Sequence, residues 1–306
     1  MDYVLKTNNL CKYYRRFHAL NGVTMNVPKG SIYGFVGKNG AGKTTLIRLI
    51  CGLQKPSSGE FTLYDTKHTD SKISRARRRI GAVVETPAYY GDMSAAENLK
   101  MQYAMLGLPS YDGIDDLLRL VRLNNTGKKK AKDFSLGMKQ RLGIALALCG
   151  NPDFLILDEP INGLDPQGIV EIRELILRLN HERDITVLIS SHILDELSRL
   201  ATHYGFIDKG KIVQEISTEE LEQKCRKYLH LKVTSTAAFA HIMDEIGAEY
   251  SIINDTEADL YGEYKVADLS AALSAEDCDL LSLTEHEESL ENYFINLVGS
   301  DGGEAK

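Results

Sequence analysis

Gly37-Lys38-Asn39-Gly40-Ala41-Gly42-Lys43-Thr44 fits the pattern G-x-x-x-x-G-K-[ST] at every fixed position, and few eight-residue stretches restrict a fold so tightly. Ser31–Val36 before it reads as a buried strand, and Thr45–Ile50 after it as a helix with an apolar face. A strand, a glycine loop and a helix are the context this motif needs. Gly37, Gly40 and Gly42 lack a Cβ, so the backbone can turn tightly and aim its N–H groups at phosphate oxygens. The helix that starts near Gly42 adds the positive end of its dipole. Lys43 can reach the outer phosphates, and the Thr44 hydroxyl can take a place on Mg²⁺. The loop points to a bound nucleoside triphosphate. It leaves open what the energy drives.

The 306 residues are 43% hydrophobic and 26% charged, enough for one large domain or two smaller ones with a substantial core. No apolar run approaches the length that crosses a bilayer. The N-terminus lacks the charged-then-apolar signal pattern, so the chain is expected in the cytoplasm unless a partner holds it at a membrane. Five cysteines are scattered without metal-ligand spacing and read as reduced thiols. Charge is uneven. Residues 241–306 carry 17 Asp/Glu and 2 Lys/Arg, a net −15, and the first 240 residues carry a net +8. The positive body suits an anionic ligand, and the acidic tail reads first as a solubilising surface.

Along the chain, Val4–Thr7 and Val23–Val27 read as antiparallel strands that lead to the phosphate loop. Tyr13 or Tyr14 between them can present a flat ring to a nucleobase, or simply pack in the sheet. Glu60–Tyr64 returns as a strand. Arg75–Arg79 reads as a solvated helix face. Ile80–Glu85 is a strand ending in a carboxylate. From Ser94 to Cys149 the period is helical: a capping box at Ser94-Ala95-Ala96-Glu97, a helix over Ile114–Val121, and an apolar helix over Leu136–Cys149 closed by Gly150. This block reads as a helical subdomain, about residues 87–150, inserted in an α/β core. Phe154–Leu157 is a doubly buried strand that ends in Asp158 and Glu159. Ile185–Ser191 is another, with His192 just past its end. Ser217–Arg226 reads as a linker helix. Beyond it strands and helices alternate to a last helix over Glu288–Val298, a small acidic α+β domain. The expected division is residues 1–216, a linker at 217–227, and residues 228–306.

Sites in open parallel sheets lie beyond the carboxyl ends of the strands. Gly37–Thr44, Glu85, Asp158, Glu159 and His192 all fall there. Asp158 is placed to share Mg²⁺ with Thr44, and Glu159 to polarise an attacking water. His192 alone reads as a packing residue; beside the others it reads as a contact to the γ-phosphate.

Together these residues resemble the ATP-binding subunit of an ABC transporter, over roughly Tyr3 to Ser217. Gly37–Thr44 matches Walker A, with Lys38, Asn39, Ala41 and Thr45 joining the ATP-binding set. Phe154–Glu159 matches Walker B with its catalytic glutamate. Ser135-Leu136-Gly137-Met138-Lys139-Gln140 sits where the family signature does, Gly163-Leu164-Asp165 matches the D-loop, and His192 the switch histidine. Tyr14 matches the adenine-stacking aromatic better than Tyr13. The resemblance implies a P-loop NTPase core with an antiparallel β subdomain. It also implies ATP and Mg²⁺ as ligands, Lys43, Glu159 and His192 as catalytic residues, and Thr44, Glu85 and Asp158 around the metal. Two such domains would close head-to-tail on two ATP molecules, with Ser135 and Gly137 of each completing the other's site. Ser135 can equally be a plain helix cap. A permease on separate chains is the implied membrane partner, and no nucleic acid is expected.

Two departures from the family pattern stand out. Leu136 replaces the first signature glycine and Met138 the glutamine. Glu85 stands where the family usually has glutamine. Both variants resemble a subgroup of exporters of bacitracin-like and lantibiotic peptides, which implies a self-protection or drug-efflux ATPase. The rival readings are an ABC-type ATPase acting on ribosomes or nucleic acid, and a regulatory subunit that binds ATP without hydrolysis. A single phosphate loop without a long coiled-coil insertion argues against the first, and intact Lys43, Asp158, Glu159 and His192 argue against the second.

Overall fold

The computed structural model describes residues 2–225, 228–262, 264–276, 278–286 and 290–300. The chain divides into two compact units, Met1–Thr218 and Glu219–Lys306.

The first unit opens with a hairpin of β1 (Tyr3–Tyr14) and β2 (Phe17–Pro28), followed by β3 (Ile32–Val36) and α1 (Lys43–Ile50). Next come β4 (Ser58–Leu63), β5 (Thr66–Lys67), the short α2 (Ile73–Arg77) and β6 (Ile80–Val83). Three helices follow without an intervening strand: α3 (Ala95–Leu106), α4 (Ile114–Leu120) and α5 (Leu136–Leu148). The chain then alternates through β7 (Phe154–Asp158), α6 (Pro166–Arg183), β8 (Thr186–Ser191) and α7 (Leu194–Ser198), and ends in the hairpin β9 (His203–Asp208) and β10 (Lys211–Ser217).

Two sheets result. One is antiparallel, in the order β2-β1-β4-β5; the other runs β10-β9-β3-β8-β7-β6, parallel except for β10. Every residue of β3, β7 and β8 is buried, as parallel strands covered on both faces require. One apolar cluster joins Leu20 and Val23 of the antiparallel sheet, Leu46 and Ile47 of α1, and Phe35 and Ile156 of the parallel sheet. The helix behind the phosphate loop is thus fixed to both sheets. That burial, at about 1.5–3 kcal/mol per large apolar side chain, anchors the loop.

The helical insertion begins on the expected capping box: Glu97 N donates to Ser94 Oγ at 3.3 Å, and Ser94 N donates to Glu97 Oε2 at 2.7 Å. At its far end α5 is not closed by Gly150. The left-handed residue is Asn151 (φ 49°), whose N–H donates to Leu148 O at 3.0 Å. The arginine run is also more than a solvated face. Arg75 and Arg78 are exposed, but Arg77 Nε donates to Ile50 O at 3.0 Å with its guanidinium over Phe61. Arg79 pairs with Asp153 and lies 3.5 Å over the Tyr64 ring. A cleft of about 880 Å³ opens between β6 and the helical insertion, lined by Val83, Val84, Pro87, Met105, Leu106 and Ala147 among others.

The second unit holds α8 (Thr218–Lys224, its first residue belonging to the other unit), β11 (Tyr228–Val233), α9 (Thr236–Glu245), β12 (Glu249–Ile252), β13 (Glu257–Tyr261), α10 (Val266–Ala275), β14 (Leu280–His286) and α11 (Leu290–Ser300). Its strands form an antiparallel sheet in the order β12-β13-β11-β14, the split βαβ arrangement. Leu229, Leu231 and Val233 of β11 meet Phe239, Ile242 and Leu273 of the helices in a separate core. β13 starts at Glu257, because Asn254 Oδ1 accepts from Thr256 N at 2.9 Å and makes the preceding turn there. The expected ends at Arg226 and Glu288 lie outside the described residues. Among the described residues, no helix is long and apolar enough to cross a membrane.

Candidate functional site

β3 delivers the chain to Gly37, and the glycine loop folds back over the start of α1. A Cβ on Gly37 would lie 2.5 Å from Ile207 O, so the loop's first position has no room for a side chain. Lys38, Asn39 and Gly40 are exposed, Ala41 and Lys43 are buried, and Thr44 and Thr45 are half-buried. Lys43 Nζ donates to Gly37 O at 2.6 Å and to Lys38 O at 3.3 Å. A buried ammonium wrapped by its own loop's carbonyls is poised for an anion.

β7 and β8 bring the acidic partners. Their register sets Asp158 beside Ser190. Ser190 Oγ donates to Asp158 Oδ1 at 2.6 Å, and Thr44 Oγ1 donates to Asp158 Oδ2 at 2.8 Å. Asp158 is 1% exposed and both its oxygens are engaged. Glu159 follows with a left-handed backbone (φ 51°), and its N–H donates to Ser190 O at 3.2 Å and Ser190 Oγ at 3.0 Å. That turn swings the Glu159 carboxylate to Lys43, with Oε1 3.1 Å from Nζ, while Oε2 lies 2.7 Å from His192 Nδ1. Lys43, Thr44, Asp158, Glu159 and His192 are thus one connected constellation, as the residue pattern predicts. Ser190 was not foreseen. In sequence it is one of two serines ending an apolar strand, and its role emerges from the β7–β8 register.

The Thr44 and Asp158 oxygens fit a divalent cation. Their 2.8 Å separation is close to the spacing of about 2.9 Å between neighbouring ligands of an octahedral Mg²⁺ with bonds of 2.0–2.1 Å. Glu85, the third residue of the expected metal set, is engaged elsewhere: its Oε1 accepts from Arg48 Nη2 on α1.

The remaining residues stand apart from this constellation. Tyr14, 40% exposed at the tip of the β1–β2 hairpin, donates its hydroxyl to Gln54 Oε1, with Lys12 Nζ 5.3 Å from its ring centre. Tyr13 packs against His18 instead, ring centres 4.4 Å apart. Ser135 caps α5, accepting from Met138 N at 3.3 Å. Asp165 caps α6, accepting from Gly168 N at 2.9 Å. The two caps adjoin. Leu136 and Gly137 face Gly163 and Leu164, with only 3.4 Å between the Leu136 side chain and the Cβ position of Gly163. Leu136 nonetheless stays 47% exposed.

The ABC transporter family model matches residues 20–162, from the antiparallel sheet through the strand that ends in Asp158 and Glu159. A bacitracin transport ATP-binding protein of Bacillus licheniformis, BcrA, is 41% identical over 306 residues, covering 98% of this chain and 98% of that protein. This chain belongs to the ATP-binding subunits of ABC transporters. A lantibiotic transport ATP-binding protein of Streptococcus pyogenes, SrtF, is 46% identical over 212 residues, 69% of this chain and 90% of the relative. The dimeric ATP-binding cassette MJ0796, in a post-hydrolysis state with ADP and Pi, superposes with a TM-score of 0.64 at 25% identity, over 70% of this chain and 98% of that one. The subunit binds ATP and hydrolyses it to drive transport. Such similarity does not favour the ribosome or nucleic-acid reading.

Proposed function

We propose that this subunit powers export of peptide antibiotics of the bacitracin and lantibiotic kind, giving resistance or self-immunity. The observation that carries the reading is the end-to-end similarity to a bacitracin transport ATP-binding protein, which includes the acidic second unit. The similarity to a lantibiotic transport subunit adds to it.

The residues divide the work of in-line water attack on the γ-phosphate. The glycine loop, with Lys43, holds the β- and γ-phosphates, and Tyr14 stacks on adenine. Glu159 orients the water and takes its proton, and His192 holds the Glu159 carboxylate in position. Thr44 and Asp158 would hold Mg²⁺, and Glu85 would join them once free of Arg48. Bound there, Mg²⁺ supplies charge neutralisation on the phosphates. Two copies close head-to-tail, so that the α5 N-terminus and Ser135 of the partner subunit meet the γ-phosphate, and Asp165 lies at the joint between copies. The cleft beside β6, apolar at Val84, Met105 and Leu106, takes a segment of a permease on separate chains, which keeps the subunit on the inner face of the membrane.

The test is deletion of the gene in its own host, with complementation by the wild type and by Glu159→Gln. The expected result is raised sensitivity to bacitracin or nisin, rescued by the wild type alone. Unchanged sensitivity to both sinks the peptide reading while leaving the ATPase assignment intact.

A further inference from the structure

Arg48 lies one helical turn beyond Thr44 on α1, so the two side chains share a helix face. Thr44 points to Asp158, and Arg48 to Glu85. Glu85 stands two residues past Val83, which pairs with Leu157 in the β6–β7 ladder, so it leaves the sheet beside the Asp158 end of β7. Adjacent strands are about 4.8 Å apart. One carboxylate on a pivot therefore stands beside two cation positions, the Arg48 guanidinium and the Thr44–Asp158 pair.

Exposure makes the Arg48 contact one that can be given up. The pair is open to solvent, Glu85 54% and Arg48 33% exposed, and exposed ion pairs are weak. Glu85 also has a left-handed backbone, φ 62°, a region that residues other than glycine and asparagine enter reluctantly. A carboxylate whose partner is screened by solvent exchanges that partner when a stronger cation offers itself.

We propose that Arg48 is a latch on Glu85: the guanidinium competes with the divalent cation for this carboxylate and thereby sets the cation concentration at which nucleotide is fully bound. Arg48 is a positioning residue, acting through Glu85. The inference rests on the proposed reading of Thr44 and Asp158 as metal holders. It gives the glutamate in place of the family's usual glutamine a physical consequence, since a neutral amide would accept a hydrogen bond from the guanidinium but form no ion pair with it.

The experiment uses the full chain with adenylyl imidodiphosphate, which is not turned over, and follows Mn²⁺ binding by electron paramagnetic resonance. Arg48→Gln is expected to lower the half-saturating Mn²⁺ by about two- to five-fold, the range an exposed ion pair gives. In a Glu85→Gln background the same change is expected to do nothing. Circular dichroism and thermal midpoints matching the wild type establish that each variant is folded. Thr44→Ala separates the two readings. If it weakens Mn²⁺ binding while Arg48→Gln has no effect, the latch is overturned and the metal reading stands. If Thr44→Ala leaves Mn²⁺ binding unchanged, both fall. A shift on Arg48→Gln that persists without Glu85 also overturns the latch, because Arg48 would then act on the nucleotide itself.

Discussion

Lys43 Nζ lies 3.1 Å from Glu159 Oε1, so the lysine of the phosphate loop and the carboxylate proposed to activate water are paired with each other. Both are largely buried, Lys43 at 5% and Glu159 at 19% side-chain exposure. A γ-phosphate arriving at Lys43 must displace this carboxylate, which frees it to face the water. Glu159→Gln removes the competitor for Lys43 and the proposed base together. ATP affinity is expected to rise and turnover to fall by about 10²-fold or more. Nucleotide binding by fluorescence and phosphate release in the same preparation check this. Wild-type turnover in the variant would remove Glu159 from the base role.

Ser190 ties the Asp158 carboxylate to the Glu159 backbone: it donates to Asp158 Oδ1 at 2.6 Å and accepts from Glu159 N at 3.0 Å. Its side chain is fully buried. Ser190→Ala leaves a buried carboxylate short of a donor, a loss of about 1–3 kcal/mol. It also removes one of the two hydrogen bonds that hold the Glu159 turn. Urea unfolding should show the destabilisation, and the residual folded enzyme should have reduced kcat with a smaller change in KM. A drop in stability with kcat untouched would make Ser190 a support of the core alone.

What could be read from sequence and what could not divides along local and non-local lines. Gly37–Thr44, the Ser94 capping box and the apolar run before Asp158 are legible because each is a contiguous pattern with its own physical cause. The pairing of Glu159 with both Lys43 and His192 follows from the backbone turn at Glu159, which residue order does not reveal. Ser190 and Arg48 were illegible for a related reason. Each lies in an ordinary strand or helix, and its partner comes from another segment set by strand register.

The capping box gives the helical insertion a dependence on acid. The Ser94 N–H, then the Ser94 hydroxyl, and further Lys130, hold the Glu97 carboxyl below its ordinary value of 4.5. A carboxyl depressed in the folded state stabilises it above the unfolded value and loses that contribution as pH falls through the folded one. Glu97→Gln should therefore lower the urea midpoint at pH 7, and the gap to the wild type should close as the pH falls from 4.5 through the lower folded value. Parallel midpoints across that range would mean that Glu97 contributes through packing rather than charge.

Gly42 and Gly40 both have left-handed backbones, φ 114° and φ 83°, yet they differ in surroundings. A Cβ on Gly42 would lie 2.6 Å from Ala19 O and 2.8 Å from Leu20 Cδ2, and one on Gly40 would meet nothing within 4 Å. The Ala19 carbonyl belongs to β2, whose side chains share the core with α1. An added methyl at Gly42 must therefore push the phosphate loop off the antiparallel sheet or shift the start of α1. Gly40→Ala carries the backbone penalty alone, about 1 kcal/mol. Gly42→Ala adds the clash, and is expected to lower the thermal midpoint further and to abolish ATP binding. Comparing the pair by thermal unfolding and nucleotide titration separates backbone strain from close approach. Equal effects at the two positions would mean that the loop's conformation, and not its contact with β2, demands glycine at Gly42.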